Sequence, residues 1–213
     1  MTSEGGTAGP QRAMGRPRAT SPAVLERLAF ELFARKGFDE TTVDDIAAAA
    51  GIARRTFFRY FSSKNDLVWG DFEGQLRRLR ELLDEADPHV PMMDAVRRAV
   101  VEFNRFDPQD VPWHRQRMQL ILGVPTLQAD ATLRYASWRS VITAFVAERT
   151  GAPVSALVPR LAGNVVLSAC VSAYEFWLAS GEETVLADVL DEALRQVSAG
   201  LSAVLDGAGS VSA

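Results

Sequence analysis

The sequence predicts an all-α fold of about nine helices in two sections. Apolar residues recur at helical spacing along most of the 213-residue chain, and Gly or Pro residues close nearly every such stretch. No strand-type alternation, internal repeat or long linker interrupts this pattern. We therefore expect a three-helix N-terminal domain over residues 21–68 and a larger helical domain over residues 69–206, flanked by flexible segments at 1–20 and 207–213.

Residues 1–20 are rich in Gly, Thr, Ser and Pro, and they carry Arg16 and Arg18 in the sequence Gly-Arg-Pro-Arg. A short basic arm of this kind can lie in the minor groove of DNA, where arginines favour a narrow, negative channel. A plain flexible tail is an equally good interpretation. The segment lacks the apolar stretch of a secretory signal, and no apolar run reaches transmembrane length. We therefore expect a cytoplasmic protein with no membrane association.

The first helix is expected to begin at Ser21, a capping residue followed by a first-turn proline, and to end near residue 37. The second helix follows Thr42, whose hydroxyl can cap it, with Asp45 as a short-armed capping-box partner. A run of alanines keeps this helix thin, and Gly51 permits a tight turn at its end.

The next helix, about Arg54 to Tyr60, has the position of the recognition helix in a helix-turn-helix, which enters the major groove of DNA. Arg54 and Arg55 could each bind guanine O6 and N7, and Lys64 could bind a phosphate at the start of the following helix. Helix-Gly-helix units also occur in all-α proteins that bind no DNA, and arginine pairs often form only a solvated face. The candidate DNA contacts are Arg16, Arg18, Thr42, Arg54, Arg55, Thr56, Phe58, Arg59, Tyr60 and Lys64.

A fourth helix is expected from about residue 64 to 85, where it links the two sections. Gly and Pro positions then divide the rest of the chain into five more helices. Their expected bounds are about 92–105, 112–122, 126–150, 155–179 and 184–205.

Charge is distributed unevenly along a chain whose net charge is −4. Residues 1–68 contain 10 Lys and Arg against 8 Asp and Glu, whereas the remainder contains 13 against 19. This pattern is typical of a small basic DNA-binding section attached to an acidic body. The single cysteine, Cys170, permits no disulfide within one chain, and no metal-binding cluster is indicated.

Aromatic and polar side chains share faces of the helices expected at 112–122, 126–150 and 155–179. A pocket lined by aromatics with a few polar anchors is typical of a small-molecule site, although most such faces form ordinary core. Nearby arginines, including Arg115 and Arg134, would suit an anionic head group on a long apolar tail. The candidate ligand contacts are Arg105, Trp113, His114, Arg117, Met118, Ile121, Tyr135, Trp138, Arg139, Asn164, Tyr174 and Trp177.

The last two long helices each carry a stripe of small and apolar residues. Small residues permit close approach of helices, so the stripes could pack across a two-fold axis, or they could complete the core of one subunit. The stripes are Val165, Val166, Ala169, Cys170 and Ala173 on one helix, and Leu186, Val189, Leu190, Ala193, Leu194, Val197 and Leu201 on the other.

The phrases LFARKGFDETTV, DIAAAAGI and TFFRYFSSK, between residues 32 and 64, make residues 21–68 closely similar to the DNA-binding domain of TetR-family transcriptional regulators. Two positions depart from the family pattern, because Ala53 stands where a capping Ser is common and Phe58 where Tyr is common. The resemblance implies a homodimer that binds a roughly palindromic operator, with an interface formed by the last two helices. It also implies a C-terminal domain that binds a small-molecule effector.

A narrower resemblance connects GRPRATS at residues 15–21, WHRQRMQLILGV at 113–124 and LRYASW at 133–138 to TetR-type regulators found with mycofactocin biosynthesis genes in actinobacteria. Acyl-CoA sensing recurs among TetR-type proteins, and a long-chain acyl-CoA combines an anionic head with an apolar tail. We therefore expect a repressor, without a cofactor, that a long-chain acyl-CoA or similar apolar ligand releases from its operator.

Two alternatives stay open on the sequence alone. His114 with Glu175 or Asp130 could form an acid–base pair, but no nucleophile, metal or phosphate-loop motif accompanies them, so we expect no enzyme. A ligand-independent, architectural DNA-binding protein would show steep salt dependence with little sequence preference. The acidic body and its aromatic-rich helices argue against that second alternative.

Overall fold

The computed structural model describes residues 20–181 and 183–208, with the backbone alone for 201–208. Those residues contain ten helices and no strand, which confirms the all-α prediction. The chain divides into two compact units, Met1–Lys64 and Asn65–Ala213. The expected basic arm, and most of the expected C-terminal tail, lie outside the described residues.

The first unit contains helices α1 (Pro22–Lys36), α2 (Val43–Ala49) and α3 (Arg54–Phe57). Helix α1 begins as expected, because Ser21 caps it by accepting a hydrogen bond from the Val24 N–H at 3.4 Å. The Thr42 hydroxyl accepts from the Asp45 N–H at 3.1 Å, and the Asp45 carboxylate accepts from the Thr42 N–H at 2.8 Å. The predicted capping box of α2 is therefore confirmed.

A tight turn separates α2 from α3. Gly51 adopts a φ of 66°, a left-handed conformation that side chains disfavour. Ala53 precedes α3 without any side-chain cap, as its identity predicts. Aromatic residues of α1, α3 and the loops fill the core of this unit, together with aliphatic residues of α1 and α2. Its buried members are Leu25, Ala29, Phe30, Phe33, Phe38, Ile46, Ala47, Phe57 and Phe61.

The predicted single helix over residues 64–85 is two helices, α4 (Lys64–Trp69) and α5 (Phe72–Asp84). Gly70 has a φ of 61°, which ends α4, and the Asp71 carboxylate then caps α5 by accepting from the Gly74 N–H at 2.9 Å. The periodicity of the apolar residues continues across the break, so it did not reveal the break. The Gly-Asp pair was the informative feature.

The second unit also contains five further helices that enclose one core. They are α6 (Met92–Phe103), α7 (Val111–Gly123), α8 (Pro125–Thr150), α9 (Leu157–Ala179) and α10 (Leu186–Ala208). Helices α8 and α10 both pack against α9, and α10 also packs against α6, while α7 contacts α8 and α9. The core is formed mainly by aliphatic residues of α5, α6, α8, α9 and α10 together with Tyr174 and Trp177.

Candidate functional site

The recognition element of the first unit presents arginine side chains to solvent. Phe57 is fully buried, and this anchors α3 in the core of the unit. With Phe57 inside, Arg54, Arg55 and Arg59 are exposed, and Phe58 is 44% exposed. The element therefore offers guanidinium groups and one aromatic edge on its surface, which are groups that can contact DNA.

Arg54 and Arg55 differ in their surroundings. Arg54 Nη1 pairs with Asp44 at 2.7 Å, and its guanidinium lies 5.4 Å from the centre of the Phe58 ring. Both members of that pair are largely exposed, so the pair contributes little in water and a DNA phosphate can replace Asp44. Arg55 forms no ion pair within the described residues. It can therefore bind a ligand without first breaking an ion pair.

Tyr60 fastens the start of the described chain to the recognition element. Its hydroxyl donates to the Thr20 carbonyl at 2.8 Å and accepts from Arg59 Nη2 at 3.0 Å. The sequence suggested a phosphate contact for this hydroxyl, but here it holds the residue that follows the basic arm. Arg16 and Arg18, the arm's candidate DNA contacts, lie outside the described residues.

Lys64 is bonded within its own unit, which corrects its expected place on a phosphate. Its Nζ donates to the carbonyls of Phe38 at 2.6 Å and Thr41 at 2.8 Å, and it lies 4.1 Å from the centre of the Phe38 ring. A third, longer contact reaches the Asp39 carbonyl at 3.4 Å. Burial lowers the pKa of this ammonium. Because its three donors face carbonyls, Lys64 closes the loop between α1 and α2.

Thr42 is exposed at the start of α2, where its hydroxyl also donates to Asp45 Oδ2 at 2.6 Å. The same carboxylate oxygen accepts from Lys36 Nζ at 2.6 Å. The Lys36 side chain, together with Thr42, holds the pKa of Asp45 well below its usual range. The Thr42 hydroxyl is therefore already bonded in the helix cap, and a DNA contact would have to use the same hydroxyl.

A cavity of about 410 Å³ lies within the second unit, between α5, α6, α7, α8 and α9. This volume is within the range of small-molecule sites, roughly 300–1,000 Å³. Most of the expected ligand contacts line it. They are Trp113, His114, Arg117, Met118, Ile121, Tyr135, Trp138 and Tyr174.

Four expected ligand contacts lie elsewhere. Arg105 is exposed and pairs with Glu102 at 2.9 Å. Arg139 Nη1 donates to Asn164 Oδ1 at 2.7 Å, beside a separate groove formed by α5, α8 and α9. Trp177 is buried in the core, where its Nε1 donates to the Thr184 carbonyl at 3.0 Å. Helical spacing alone did not distinguish these faces from the wall of the cavity.

The arginines of the second unit do not converge on one anionic site, contrary to the expectation. Arg115 Nη2 donates to the carbonyls of Trp177, Leu178 and Ser180 at 2.9, 3.0 and 2.6 Å, which caps the end of α9. Arg134 pairs with Asp66 and Asp130. Of the arginines in this unit, Arg78 and Arg117 line the cavity.

A chain of hydrogen bonds forms the polar part of the cavity wall. The Tyr174 hydroxyl donates to Asn104 Oδ1 at 2.5 Å, while Asn104 Nδ2 donates to the Val100 carbonyl at 2.7 Å. His114 Nε2 lies 2.9 Å from the same hydroxyl. Since the tyrosine proton is given to Asn104, the histidine must donate through Nε2, which fixes its tautomer.

His114 is uncharged at neutral pH in this setting. Burial, and to a lesser extent the charge of Arg117, lowers the pKa of His114 to about 3. Its ring stacks on Phe106 with the two centroids 3.9 Å apart. Burial also raises the pKa of the Tyr174 phenol. Because neither group changes charge near neutral pH, the hydrogen-bonded group of His114, Tyr174 and Asn104 suits hydrogen bonding to a ligand rather than acid–base catalysis.

Sequence reasoning missed the part of the cavity wall that surrounds the break between α4 and α5. Trp69 and Phe72 flank this break, and the Gly-Asp pair between them was the available indication. Asn104 was also missed, although it is a single amide after an apolar run, and such an amide often becomes a buried polar anchor. The other missed lining residues are Gln75, Leu76, Arg78, Phe103, Phe106, Asp110, Leu122, Leu167, Cys170 and Val171.

The stripes expected to form a dimer interface lie largely inside the second unit. Val166, Cys170, Ala173, Leu186, Leu190 and Leu194 are buried, and the remaining members, except Leu201, are partly buried against the same core. The side chain of Leu201 lies outside the described part. A different face of α9 is exposed, where Leu157 is 78% and Phe176 is 61% accessible.

Two features of the described residues bear on other functions. No group of three or more His, Cys, Asp or Glu side chains there could hold a metal ion. Helix α9 is long and apolar enough to cross a membrane by length and composition. However, Ala162, Val166 and Trp177 of this helix are buried in the core, as in the central helix of a soluble protein.

Two family matches cover most of the chain. Residues 27–68 match the tetR family of bacterial regulatory proteins, and residues 90–202 match the MftR C-terminal domain. A protein of Mycobacterium tuberculosis assigned as the mycofactocin biosynthesis transcriptional regulator MftR is 46% identical over 188 residues. That alignment covers 88% of this chain and 94% of the relative.

Solved structures share the fold at low sequence identity. The fatty acid degradation regulator FadR from Bacillus halodurans superposes with a TM-score of 0.61 at 18% identity, over 83% of this chain and 97% of that one. Thermus thermophilus FadR in complex with lauroyl-CoA gives a TM-score of 0.53 at 21% identity, over 83% and 93% of the two chains. The matched families and relatives are transcriptional regulators and not enzymes. The chain therefore belongs to the TetR family of transcriptional regulators, and its C-terminal domain is of the MftR type.

Proposed function

We propose that this chain is a cytoplasmic, homodimeric repressor that a small apolar or acyl-CoA-like ligand releases from a roughly palindromic operator. The observation that carries the proposal is the exposed arginine surface of α3, within a unit that matches the DNA-binding domain of the TetR family. Such a unit reads DNA by insertion of its recognition helix into the major groove.

Arg55 is the strongest candidate for a base contact, because it is exposed and already free of an ion pair in the described part of the chain. Arg54 can follow once DNA replaces Asp44, and bidentate contacts to guanine are worth roughly 1–3 kcal/mol each. Thr56 and Arg59 lie beside them and suit phosphates or a thymine methyl. Arg16 and Arg18 remain candidates for the minor groove.

The exposed face of α9 supports a homodimer. Leu157, Leu161 and Phe176 are exposed there, with the small residues Ser168 and Ser172 between them. An exposed helix face that carries large apolar residues separated by small ones allows close packing of helices and is typical of a subunit interface. A two-fold pair would present two recognition helices to the two half-sites of the operator.

The cavity of the second unit supports an apolar effector. Aromatic and aliphatic side chains form most of its wall, with Arg78 and Arg117 as the positively charged members that an anionic head group could reach. A structural relative, T. thermophilus FadR, was solved with lauroyl-CoA. A long-chain acyl-CoA is therefore our candidate effector, and it would act by binding more tightly to the state that does not fit the operator.

The regulated genes are proposed from the 46% identity to the M. tuberculosis protein assigned to mycofactocin biosynthesis. A regulator of this kind commonly acts on DNA close to its own gene. We therefore expect an operator in the region upstream of this gene, and mycofactocin biosynthesis genes among those it regulates.

Fluorescence anisotropy on labelled DNA from that region tests the proposal, with scrambled DNA as the control and lauroyl- or palmitoyl-CoA titrated into the complex. We expect selective binding that the acyl-CoA reverses. Selective binding unaffected by acyl-CoA would retain the regulator and remove the effector. Binding that falls steeply with salt, and is equal on scrambled DNA, would instead indicate an architectural protein.

A further inference from the structure

The indole N–H of Trp69, in the wall of the ligand cavity, has no hydrogen-bond acceptor among the described residues. Trp69 lines the cavity and is 7% exposed, and its indole nitrogen Nε1 is buried without a hydrogen-bond acceptor in the described part of the chain. Leaving a buried N–H without an acceptor costs free energy, so such groups are rare in folded proteins. A donor of this kind in a cavity wall points to an acceptor on the cavity's occupant.

The indole is held in one orientation from three sides. The Phe72 ring meets it edge to face with centroids 5.7 Å apart, and the Tyr135 ring does so at 6.2 Å. The Arg134 guanidinium lies 5.0 Å from the centre of its ring, and two carboxylates of the same unit fix that arginine. Trp69 therefore cannot easily turn its N–H toward another acceptor, and the donor is preorganised for a ligand.

The chemistry around Trp69 favours an uncharged acceptor. Phe72 and Tyr135 are its aromatic neighbours, and the charge of Arg134 is already balanced by its carboxylate partners. A carboxylate or phosphate at this point would need a free cation nearby, whereas a carbonyl oxygen needs only the N–H.

We propose that Trp69 Nε1 is the hydrogen-bond donor that selects a neutral carbonyl oxygen, as in a ketone, ester or thioester, on an otherwise apolar ligand. This inference rests on the proposed ligand-binding function of the cavity. It adds a specificity residue, because a hydrocarbon of the same shape would fill the cavity but leave the indole N–H unpaired. Trp69 is also the last residue of α4, directly before the Gly70 break, so its contact with a ligand bears on the geometry of that break.

The test uses butyrophenone and butylbenzene, which differ by a carbonyl in place of a methylene, on the full-length protein. Calorimetry gives the dissociation constant of each probe for the wild type and for Trp69→Phe, which keeps an aromatic ring but removes the N–H. We expect the substitution to weaken ketone binding about fivefold more than hydrocarbon binding, the value of one neutral hydrogen bond. Trp138→Phe is the matched control, because Trp138 lines the same cavity, and it should affect the two probes equally.

A second measurement does not depend on the folding of any variant. In wild-type protein with ¹⁵N-labelled tryptophan, the ketone should shift the Trp69 indole proton downfield, and the hydrocarbon should not. Equal reductions in affinity for both probes, or ketone binding without that shift, would overturn the proposal and leave the cavity as an apolar site. Failure of both probes to bind would overturn the apolar site as well, whereas operator binding is judged separately by anisotropy.

Discussion

The recognition element of the first unit and the helix–helix contacts of the second unit use arginine in opposite ways. In the first unit Arg55 and Arg59 lie on the surface, and the side chain of Arg54 is 58% exposed even in its ion pair. In the second unit the side chains of Arg97 and Arg134 are 21% and 19% exposed in theirs. The acceptors around an arginine, rather than its presence near apolar residues, decide whether its guanidinium is available to a partner or is already bonded within the protein.

Removal of the Arg115 side chain should have the largest effect on stability, because the guanidinium of this arginine donates to three backbone carbonyls at the end of α9. We expect Arg115→Ala to lower the free energy of unfolding by about 3 kcal/mol, which corresponds to a melting temperature lower by roughly 10 °C. Calorimetry or thermal circular dichroism measures this. Arg105→Ala, which removes an exposed arginine of the same unit, should change stability by no more than about 0.5 kcal/mol. Equal effects of Arg115→Ala and Arg105→Ala on stability would contradict the structural role assigned to Arg115.

Removal of the Arg55 side chain should give the opposite result, with unchanged stability and weaker DNA binding. We expect Arg55→Ala to reduce operator affinity by about 1–3 kcal/mol for each guanine that this arginine binds. Anisotropy measures the affinity, and a melting curve checks that the protein stays folded. Arg77→Ala removes an exposed arginine of α5 and serves as the matched control. If Arg55→Ala bound the operator as tightly as this control, the recognition surface would have to be sought elsewhere.

The same contrast explains what could be predicted from the sequence. The first unit follows local rules: Ser21, Thr42 with Asp45, and Gly51 act within a few residues of their own positions, and all were predicted with their correct partners. Tyr60 and Lys64 are exceptions, because their carbonyl acceptors lie more than twenty residues earlier in the chain. No local pattern indicates such a contact.

The second unit is less predictable because its contacts join distant parts of the chain. Helix content followed from periodicity, and most of the cavity wall on α7 and α8 was identified. The sequence did not reveal that Arg115 would reach the end of α9, or that Asn104 would meet Tyr174. Both contacts depend on how whole helices pack. Arginines and amides near apolar residues can be either structural or ligand-binding until that packing is known.

Acidification should affect the stability of the two units differently. The unfolded chain binds a proton at His114 below about pH 6.5, whereas burial delays this to about pH 3 in the folded protein, so stability falls as the pH falls between these values. Between pH 7 and pH 5 this amounts to about 2 kcal/mol. The depressed pKa of Asp45 in the first unit acts only below its ordinary value of 3.8.

Urea titrations at several pH values measure this dependence in the wild type, in His114→Gln and in His89→Gln. The second histidine, His89, is exposed, so its replacement should leave the slope of stability against pH unchanged. His114→Gln should flatten the slope between pH 7 and pH 5, even if it lowers stability throughout. An unchanged slope in that variant would mean that His114 has the same pKa in the folded and the unfolded protein.

The smallest effect is expected at Thr42, where a purely local contact can be removed from the first unit. Thr42→Ala deletes the hydroxyl that caps α2, at a cost of about 1 kcal/mol, while Thr42→Ser keeps it and should behave as the wild type. Native-state hydrogen exchange should show faster exchange of the α2 amides with little change in α8 and α9, because nothing in the cap depends on the second unit. Faster exchange in both units would show instead that the stability of the first unit is not set by its own local contacts.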